Sequence, residues 1–167
     1  MDIVSKETRS RMMSAVKSKN TRLETAPGKR LYAMGLRYRL HDRKLPGRPD
    51  FSFPKFRSVI FVNGCFWHLH ECEFSSIPET GKQWWKNKLE ENRKRDIRNQ
   101  KILMKNDWRI AILWECAIRK AVKAGRTAKL EEIAALLNKF LISGYSRVEI
   151  DRDGMTALSG NQERHRQ

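Results

Sequence analysis

The segment LPGRPDFSFPKFRSVIFVNGCFWHLHEC, residues 45–72, decides the fold that this chain is expected to adopt. It contains two short runs rich in Phe, Val and Ile, at 50–53 and 57–62, with a Pro-Lys pair between them. This pattern predicts a β-hairpin. Asp50 opens the first predicted strand, and Asn63 with the glycine after it ends the second. Cysteines and histidines follow at once, so we expect the hairpin to lead into a reactive loop.

Helix and strand patterns alternate on both sides of the hairpin and predict a mixed α/β domain over residues 20–142. The predicted elements are a helix capped by Asn20 or Thr21 and running to about Gly35, a strand at 36–40, a basic helix at 80–105, a buried central strand at 108–114 and a helix at 127–142. Residues 1–19 form a basic segment, which either follows a phosphate backbone or is a frayed terminus. Residues 143–167 are expected to form a partly disordered tail.

The composition favours nucleic acid as the partner. The 167 residues are 40% hydrophobic, which excludes general disorder, and they carry a net charge of +16. A field of this strength attracts a polyanion, and there is no amphipathic basic helix suited to an anionic membrane surface. The N-terminus lacks the apolar core of a signal peptide, and no run is long enough for a membrane span. A cytoplasmic protein is therefore expected.

The three cysteines and their neighbouring histidines indicate a metal site. Cys65, His70 and Cys72 lie in one short segment, and Cys116 follows the predicted central strand. If the two strand ends are adjacent, these residues supply the four tetrahedral donors of a structural zinc site. Two alternatives stay open, because His68 could replace His70, or the thiols could be unrelated buried apolar groups.

Asp50 and His68 indicate hydrolytic chemistry. If His70 binds zinc, the imidazole of His68 is left to take a proton from water. The carboxylate of Asp50 is a hard oxygen donor of the kind that Mg²⁺ prefers. Together these two side chains suggest metal-assisted cleavage of a phosphodiester.

Three aromatic side chains stand out near this expected site. Phe66 and Trp67 lie between the expected metal ligands, and Trp85 lies in the basic helix. Rings held on a metal-braced loop can wedge between the base steps of duplex DNA. The alternative is that they cover the zinc and pack in the core.

Four motifs resemble those of the very-short-patch-repair DNA mismatch endonucleases, the Vsr family. They are LPGRPDF, VIFVNGCFWHLHEC, WWKNKLEENRKRD and WRIAILWECA, and the likeness extends from about Thr8 to Leu141. The resemblance implies a restriction-endonuclease-like fold, a mixed β-sheet flanked by helices. It also implies an enzyme that nicks one strand of duplex DNA beside a T:G mismatch, the lesion left when 5-methylcytosine deaminates. We expect a monomer, with a mismatch-repair linker protein as a partner.

The resemblance also implies roles for individual residues. Mg²⁺ would be bound by Asp50 and the backbone carbonyl of Val62, with His68 activating the attacking water and Glu24 assisting through the hydrated metal. The structural Zn²⁺ would be held by Cys65, His70, Cys72 and Cys116. The residues implied to contact DNA are Phe66, Trp67 and Trp85 as an intercalating wedge, Lys88, Asn92 and Asp96 near the mismatched pair, and Met13. From position alone, Glu24 needs no role beyond a favourable charge in the first helical turn.

The chain departs from the general nuclease pattern after the aspartate. Restriction-type nucleases usually carry an acidic residue and a lysine on the next strand, where this chain has Phe61, Val62 and Asn63. Some family members have threonine and histidine at the last two of these positions, so a role for Asn63 in proton transfer stays open. Two rival functions are a restriction-type endonuclease acting on matched DNA and a non-catalytic, zinc-stapled mismatch-binding protein.

Overall fold

A computed structural model gives the fold, and it describes residues 22–123 and 127–158. The expected basic segment 1–19, which includes Met13, lies outside the described residues, as do residues 159–167. Within the described part of the chain, no helix is long and apolar enough to cross a membrane.

Six strands form one mixed sheet, in the order in which they occur along the chain. They are β1 (Arg39–Leu40), β2 (Phe51–Phe53), β3 (Ser58–Asn63), β4 (Arg109–Trp114), β5 (Arg147–Asp151) and β6 (Gly154–Ala157). β1, β2 and β3 are antiparallel neighbours, β4 is parallel to both β3 and β5, and β6 returns antiparallel to β5. The predicted β2–β3 hairpin is confirmed, with a 3-10 turn at Pro54–Phe56 between its strands. The strand expected at 36–40 is shorter, because only Arg39–Leu40 pairs with β2.

In the described residues, four helices cover the two faces of this sheet. They are α1 (Arg22–Ala33), α2 (Lys82–Lys105), α3 (Glu115–Lys123) and α4 (Thr127–Ile142). Leu31 of α1, Ile118 of α3 and Leu137 of α4 belong to one buried cluster. Leu103 of α2 belongs to a second cluster, on the opposite face of the sheet. A mixed sheet flanked by helices fits the restriction-endonuclease-like fold.

The central strand β4 is buried on both faces, as its continuous apolar sequence predicts. Ala111 and Leu113 join the first cluster, and Ile110 and Ile112 join the second. Successive side chains of a strand point to opposite faces, so the two sets cover both sides of the sheet. β4 is therefore the strand around which both layers pack.

Two elements differ from the sequence-based expectation. Cys116 lies in the first turn of α3, a helix that was not predicted. Residues 147–157 of the expected C-terminal tail are ordered, because they form β5, β6 and the turn between them. Val148 and Ile150 of β5 are fully buried, and they add their side chains to the first cluster. The segment is ordered because β4 offers an edge to which it can pair.

Candidate active site and metal cluster

Asp50 lies at the point where the β2–β3 hairpin opens. It directly precedes β2, and its Oδ2 accepts a hydrogen bond of 2.7 Å from the backbone N–H of Val62 in β3. The pKa of Asp50 is raised to about 6, chiefly by burial and also by the nearby carboxylate of Glu24, against the lowering effect of the Val62 hydrogen bond. Burial and a like charge both disfavour the ionised form. A cation beside Asp50 would relieve both effects.

Glu24 and His41 complete a small cluster around Asp50. Glu24 lies in the first turn of α1 and is only 8% exposed. The ring of His41 lies between the two carboxylates, with Nε2 3.5 Å from Glu24 Oε2 and Nδ1 3.7 Å from Asp50 Oδ1. One ligand atom from each of the three residues lies within 4.8 Å of the other two, close enough for the group to hold a metal ion.

His41 is not among the site residues predicted from the sequence, although the sequence contains a signal for it. Leu40 pairs with Phe51 across the β1–β2 ladder, so the residue after Leu40 must stand beside Asp50. The backbone N–H of His41 accordingly donates to the Asp50 carbonyl at 3.1 Å. A correct pairing of the 36–40 segment with β2 would have identified it.

His68 lies in the loop after β3 and is oriented by α2. Its Nδ1 lies 2.5 Å from Asp96 Oδ2, and both side chains are about one-fifth exposed. A carboxylate on one imidazole nitrogen fixes the proton there and leaves the other nitrogen, Nε2, able to accept a proton. The arrangement suits His68 to general-base chemistry.

A cavity of about 370 Å³ connects Asp50 and Glu24 with His68. Asp50, His68 and Asp96 line it together with two cations that the sequence-based reasoning also missed, Arg48 and Arg95. The Nε of Arg48 is buried and has no hydrogen-bond partner among the described residues. A guanidinium in this position can pair with a phosphate oxygen. The cavity therefore combines a carboxylate, a histidine base and positive charge.

The cysteines and one histidine form a second cluster at the same edge of the sheet. Ligand atoms of Cys65, His70, Cys72 and Cys116 all lie within 4.8 Å of one another. β3 and β4 are parallel, with Asn63 opposite Trp114, so the chain segments that follow them emerge side by side. His68 is outside this group. The structure thus brings together the four predicted ligands from two distant parts of the chain.

The protonation of this cluster reflects its close packing. Hydrogen bonds with Cys65, chiefly, and with His70 lower the pKa of Cys116 to about 4. Burial by itself would lower the pKa of His70, but hydrogen bonds with Cys116 and Cys72 raise it to about 9. Thiolates are the form in which cysteine binds a metal. The donor set is suited to a soft or borderline ion in tetrahedral coordination.

The aromatic side chains form a third group, beside His68. The ring centroids of Phe66, Trp67 and Trp85 lie 5.1 to 6.0 Å apart in edge-to-face contacts. A β-carbon at Gly64 would stand 3.1 Å from Cδ1 of Trp67, so the glycine lets the indole pack on the backbone. Trp84, which is 61% exposed, extends the group through a 4.8 Å contact with Trp85.

The three residues of α2 that were predicted to contact DNA do not all face solvent. Lys88 is exposed, as a DNA-contacting residue would be. Asn92 is buried and donates a hydrogen bond of 3.3 Å to the Trp67 carbonyl, and Asp96 holds His68. Two of the three predicted residues therefore contact the protein's own loop.

Comparisons with known proteins give a consistent picture. The family model described as DNA mismatch endonuclease Vsr matches residues 1–74. Over 158 residues the chain is 36% identical to the DNA mismatch endonuclease Vsr of Escherichia coli K12. The aligned region covers 95% of this chain and 99% of that protein. It is 44% identical over 117 residues to the type II nicking enzyme V.XorIIP of Xanthomonas oryzae pv. oryzae, covering 70% of this chain and 86% of the relative. The type II nicking enzyme V.NmeAIP of Neisseria meningitidis is 35% identical over 130 residues, or 77% of this chain and 93% of its own length.

The raised pKa of Asp50 predicts a pH-dependent gain in stability for Asp50→Asn. In the folded state the carboxyl binds its proton up to about pH 6, against a usual value of 3.8. The native state therefore loses stability as pH rises from about 4 to 6, by up to about 3 kcal/mol. Without divalent metal, Asp50→Asn should have a higher free energy of unfolding at pH 7.5, and this gain should vanish near pH 4.

Denaturant unfolding at a series of pH values in EDTA measures this effect. Asp107→Asn is the matched control, because it removes an exposed carboxylate outside the cavity. A gain for Asp50→Asn that is equal at pH 4 and pH 7.5 would contradict the assigned pKa.

Proposed function

This chain belongs to the Vsr family of DNA mismatch endonucleases, and we propose that it nicks duplex DNA on the 5′ side of the thymine in a T:G mismatch. Cleavage there would leave a 5′-phosphate and begin very-short-patch repair of deaminated 5-methylcytosine. The observation that carries the proposal is the adjacency of two groups in one loop. Phe66 and Trp67 belong to the aromatic group, and the next residue, His68, lines the cavity that contains Asp50. Recognition of a distorted base step and hydrolysis are therefore coupled along the backbone.

The cleavage is proposed to depend on Mg²⁺ bound by Asp50 and the Val62 carbonyl, with Glu24 acting through the hydrated ion. The N–H and C=O of one strand residue point to the same side. Since the Val62 N–H reaches the Asp50 carboxylate, its carbonyl faces the same region, past the last paired residue of β2. When bound there, Mg²⁺ would polarise the phosphate and stabilise the negative charge that develops in the transition state.

The protein's own side chains are proposed to perform the remaining steps. His68 takes a proton from the attacking water at Nε2, while Asp96 keeps the proton on Nδ1 and stabilises the imidazolium that forms. Arg48 and Arg95 contact the non-bridging phosphate oxygens from the cavity wall. These two cations supply the positive charge that the lysine of other restriction-type nucleases would provide.

The second cluster is proposed to bind a structural Zn²⁺. Three thiol sulfurs and one imidazole nitrogen, from Cys65, His70, Cys72 and Cys116, fill all four tetrahedral positions and leave none for a water. The ion would tie the loop after β3 to the start of α3. That connection would hold the aromatic residues and His68 in a fixed relation to the sheet.

The aromatic group is proposed to act as the wedge that selects a mismatched step. Phe66, Trp67 and Trp85 are partly exposed and packed against one another, so they can enter the base stack as a rigid unit. Unstacking is less costly at a mismatch than at a paired step, which favours T:G over matched DNA. Lys88 and Met13 are proposed to contact the DNA nearby.

Both rival functions leave part of the site unexplained. A mismatch-binding protein without activity has no need for the oriented His68–Asp96 pair. A nuclease of matched DNA has no need for a partly exposed aromatic wedge beside its catalytic cavity. The monomeric state, the mismatch-repair linker protein and the cytoplasmic location stay predictions.

Substitution of a cluster cysteine should remove zinc and destabilise the fold. Structural zinc contributes folding free energy directly, so Cys116→Ser should lose the ion on dialysis and melt at a lower temperature than the wild type. Zinc per chain, measured by atomic absorption, and thermal denaturation test this together. Ser75→Ala is the matched control, because it alters a side chain hydrogen-bonded to the Cys65 carbonyl without removing a ligand. Stoichiometric zinc in the Cys116→Ser protein would exclude that residue as a ligand.

Catalysis and mismatch binding should separate by mutation. On a labelled T:G duplex with Mg²⁺, Asp50→Asn should abolish nicking, and His68→Ala should slow it by about 10²- to 10⁴-fold because the general base is lost. Single-turnover cleavage measures the rate of nicking, and fluorescence anisotropy in EDTA measures binding of the T:G duplex. The Asp107→Asn protein should match the wild type in both assays. Loss of T:G binding in parallel with cleavage, in both active-site variants, would overturn this division of roles.

A further inference from the structure

His41 has no role in the proposed mechanism, yet it occupies the space between two active-site carboxylates. Its ring nitrogens lie 3.5 Å from Glu24 Oε2 and 3.7 Å from Asp50 Oδ1. Three separate segments bring these residues together, namely the start of α1, the residue after β1 and the residue before β2. All three side chains are largely withdrawn from solvent, with 11% to 21% of each exposed.

We propose that His41 is a direct ligand of the catalytic metal ion, which it binds together with Asp50 and Glu24. The inference rests on the proposed metal-dependent cleavage and changes the composition of its metal site. Instead of oxygen atoms alone, the protein offers an imidazole nitrogen and two carboxylates. Glu24 then binds the ion itself rather than acting through water.

The spacing of the three side chains suits an octahedral ion. Adjacent ligands at about 2.1 Å from such an ion stand about 3 Å apart. The contacts of 3.5 and 3.7 Å involve different nitrogens of the His41 ring, and only one of these nitrogens would bind the ion. One ligand atom from each of the three residues lies within 4.8 Å of the other two. Closure by at most about 2 Å therefore brings them to octahedral spacing. A divalent cation bound to both carboxylates would offset the repulsion between them. The raised pKa of Asp50, to which Glu24 contributes, is consistent with this need.

The backbone holds His41 in this place at some conformational cost. Its φ is +48°, in the left-handed region that few residues other than glycine adopt, although histidine is among the more tolerant. The N–H of His41 donates to the Asp50 carbonyl at 3.1 Å, which fixes the two residues to each other. Strained positions of this kind persist where the surrounding structure specifies them and are common at active sites.

A nitrogen ligand changes which ions the site prefers. Mg²⁺ favours oxygen donors, whereas imidazole suits first-row transition ions. The site should therefore bind Mn²⁺ and Co²⁺ more tightly, relative to Mg²⁺, than a carboxylate-only site does. His41→Gln keeps a polar side chain of similar length but removes the imidazole, so it should lose most of this preference.

Mn²⁺ binding to the full-length, zinc-loaded protein tests the proposal without DNA. Electron paramagnetic resonance measures the affinity, and electron spin echo envelope modulation detects a directly bound nitrogen. Wild type should bind Mn²⁺ with a nitrogen coupling, and His41→Gln should lose the coupling and bind at least about 10-fold more weakly. His68→Ala is the matched control and should retain the coupling, because His68 is held by Asp96. Asp50→Asn should bind Mn²⁺ poorly.

The outcomes separate this inference from the proposed function. If wild type binds Mn²⁺ without nitrogen coupling, or if His41→Gln retains both coupling and affinity, His41 does not bind the ion and the inference fails. Nicking of a T:G duplex is then measured with the same proteins. Metal-dependent nicking by wild type would leave the proposed function standing, whereas its absence would overturn both. Should His41→Gln fail to fold, judged by thermal denaturation, His41→Asn provides the same comparison.

Discussion

The parallel pairing of β3 with β4 is the constraint on which both sites depend. Its register, from Ser58 opposite Arg109 to Asn63 opposite Trp114, makes the two strands end at the same edge of the sheet. The loop that begins at Gly64 and the helix that begins at Glu115 must therefore meet. Cys65 N–H donates to Glu115 Oε2 at 3.1 Å just beyond this edge. Parallel strands need a long crossover, and α2, which supplies Asp96 and Trp85, lies within it.

The proposed active site shows how a fold tolerates an unfavourable arrangement of charges. Asp50, Glu24 and His41 are drawn together by the hairpin and by α1, although burial of the Asp50 charge opposes folding when no cation is present. Apolar side chains fill both faces of β4, and their burial opposes this cost. If the site binds a divalent ion as proposed, binding of the ion would offset this cost. Stability and metal affinity would then be linked through the same carboxylate.

The sequence predicts those features that local patterns determine. Two runs rich in Phe, Val and Ile and a Pro-Lys turn locate the hairpin, a continuous apolar run locates β4, and the clustered Cys and His residues locate the second cluster. It does not reveal α3, because ECAIRKAVK is short and lacks a cap residue with a local signal. β5 and β6 are missed because Val148 and Ile150 become a strand only beside β4. His41 and Arg48 are missed because their roles depend on which segments pair, and no local pattern shows that.

Strand cleavage of a set of duplexes that differ at a single base pair tests the central claim most directly. Four labelled duplexes would differ at one position only, as T:G, C:G, T:A or A:C, and each would be incubated with Mg²⁺ or with EDTA. The flanking bases would be varied, starting from a cytosine-methyltransferase site. The account predicts a Mg²⁺-dependent nick in the T:G duplex alone, on the 5′ side of the thymine. Equal cleavage of the matched duplexes, or tight T:G binding without any nick, would contradict it.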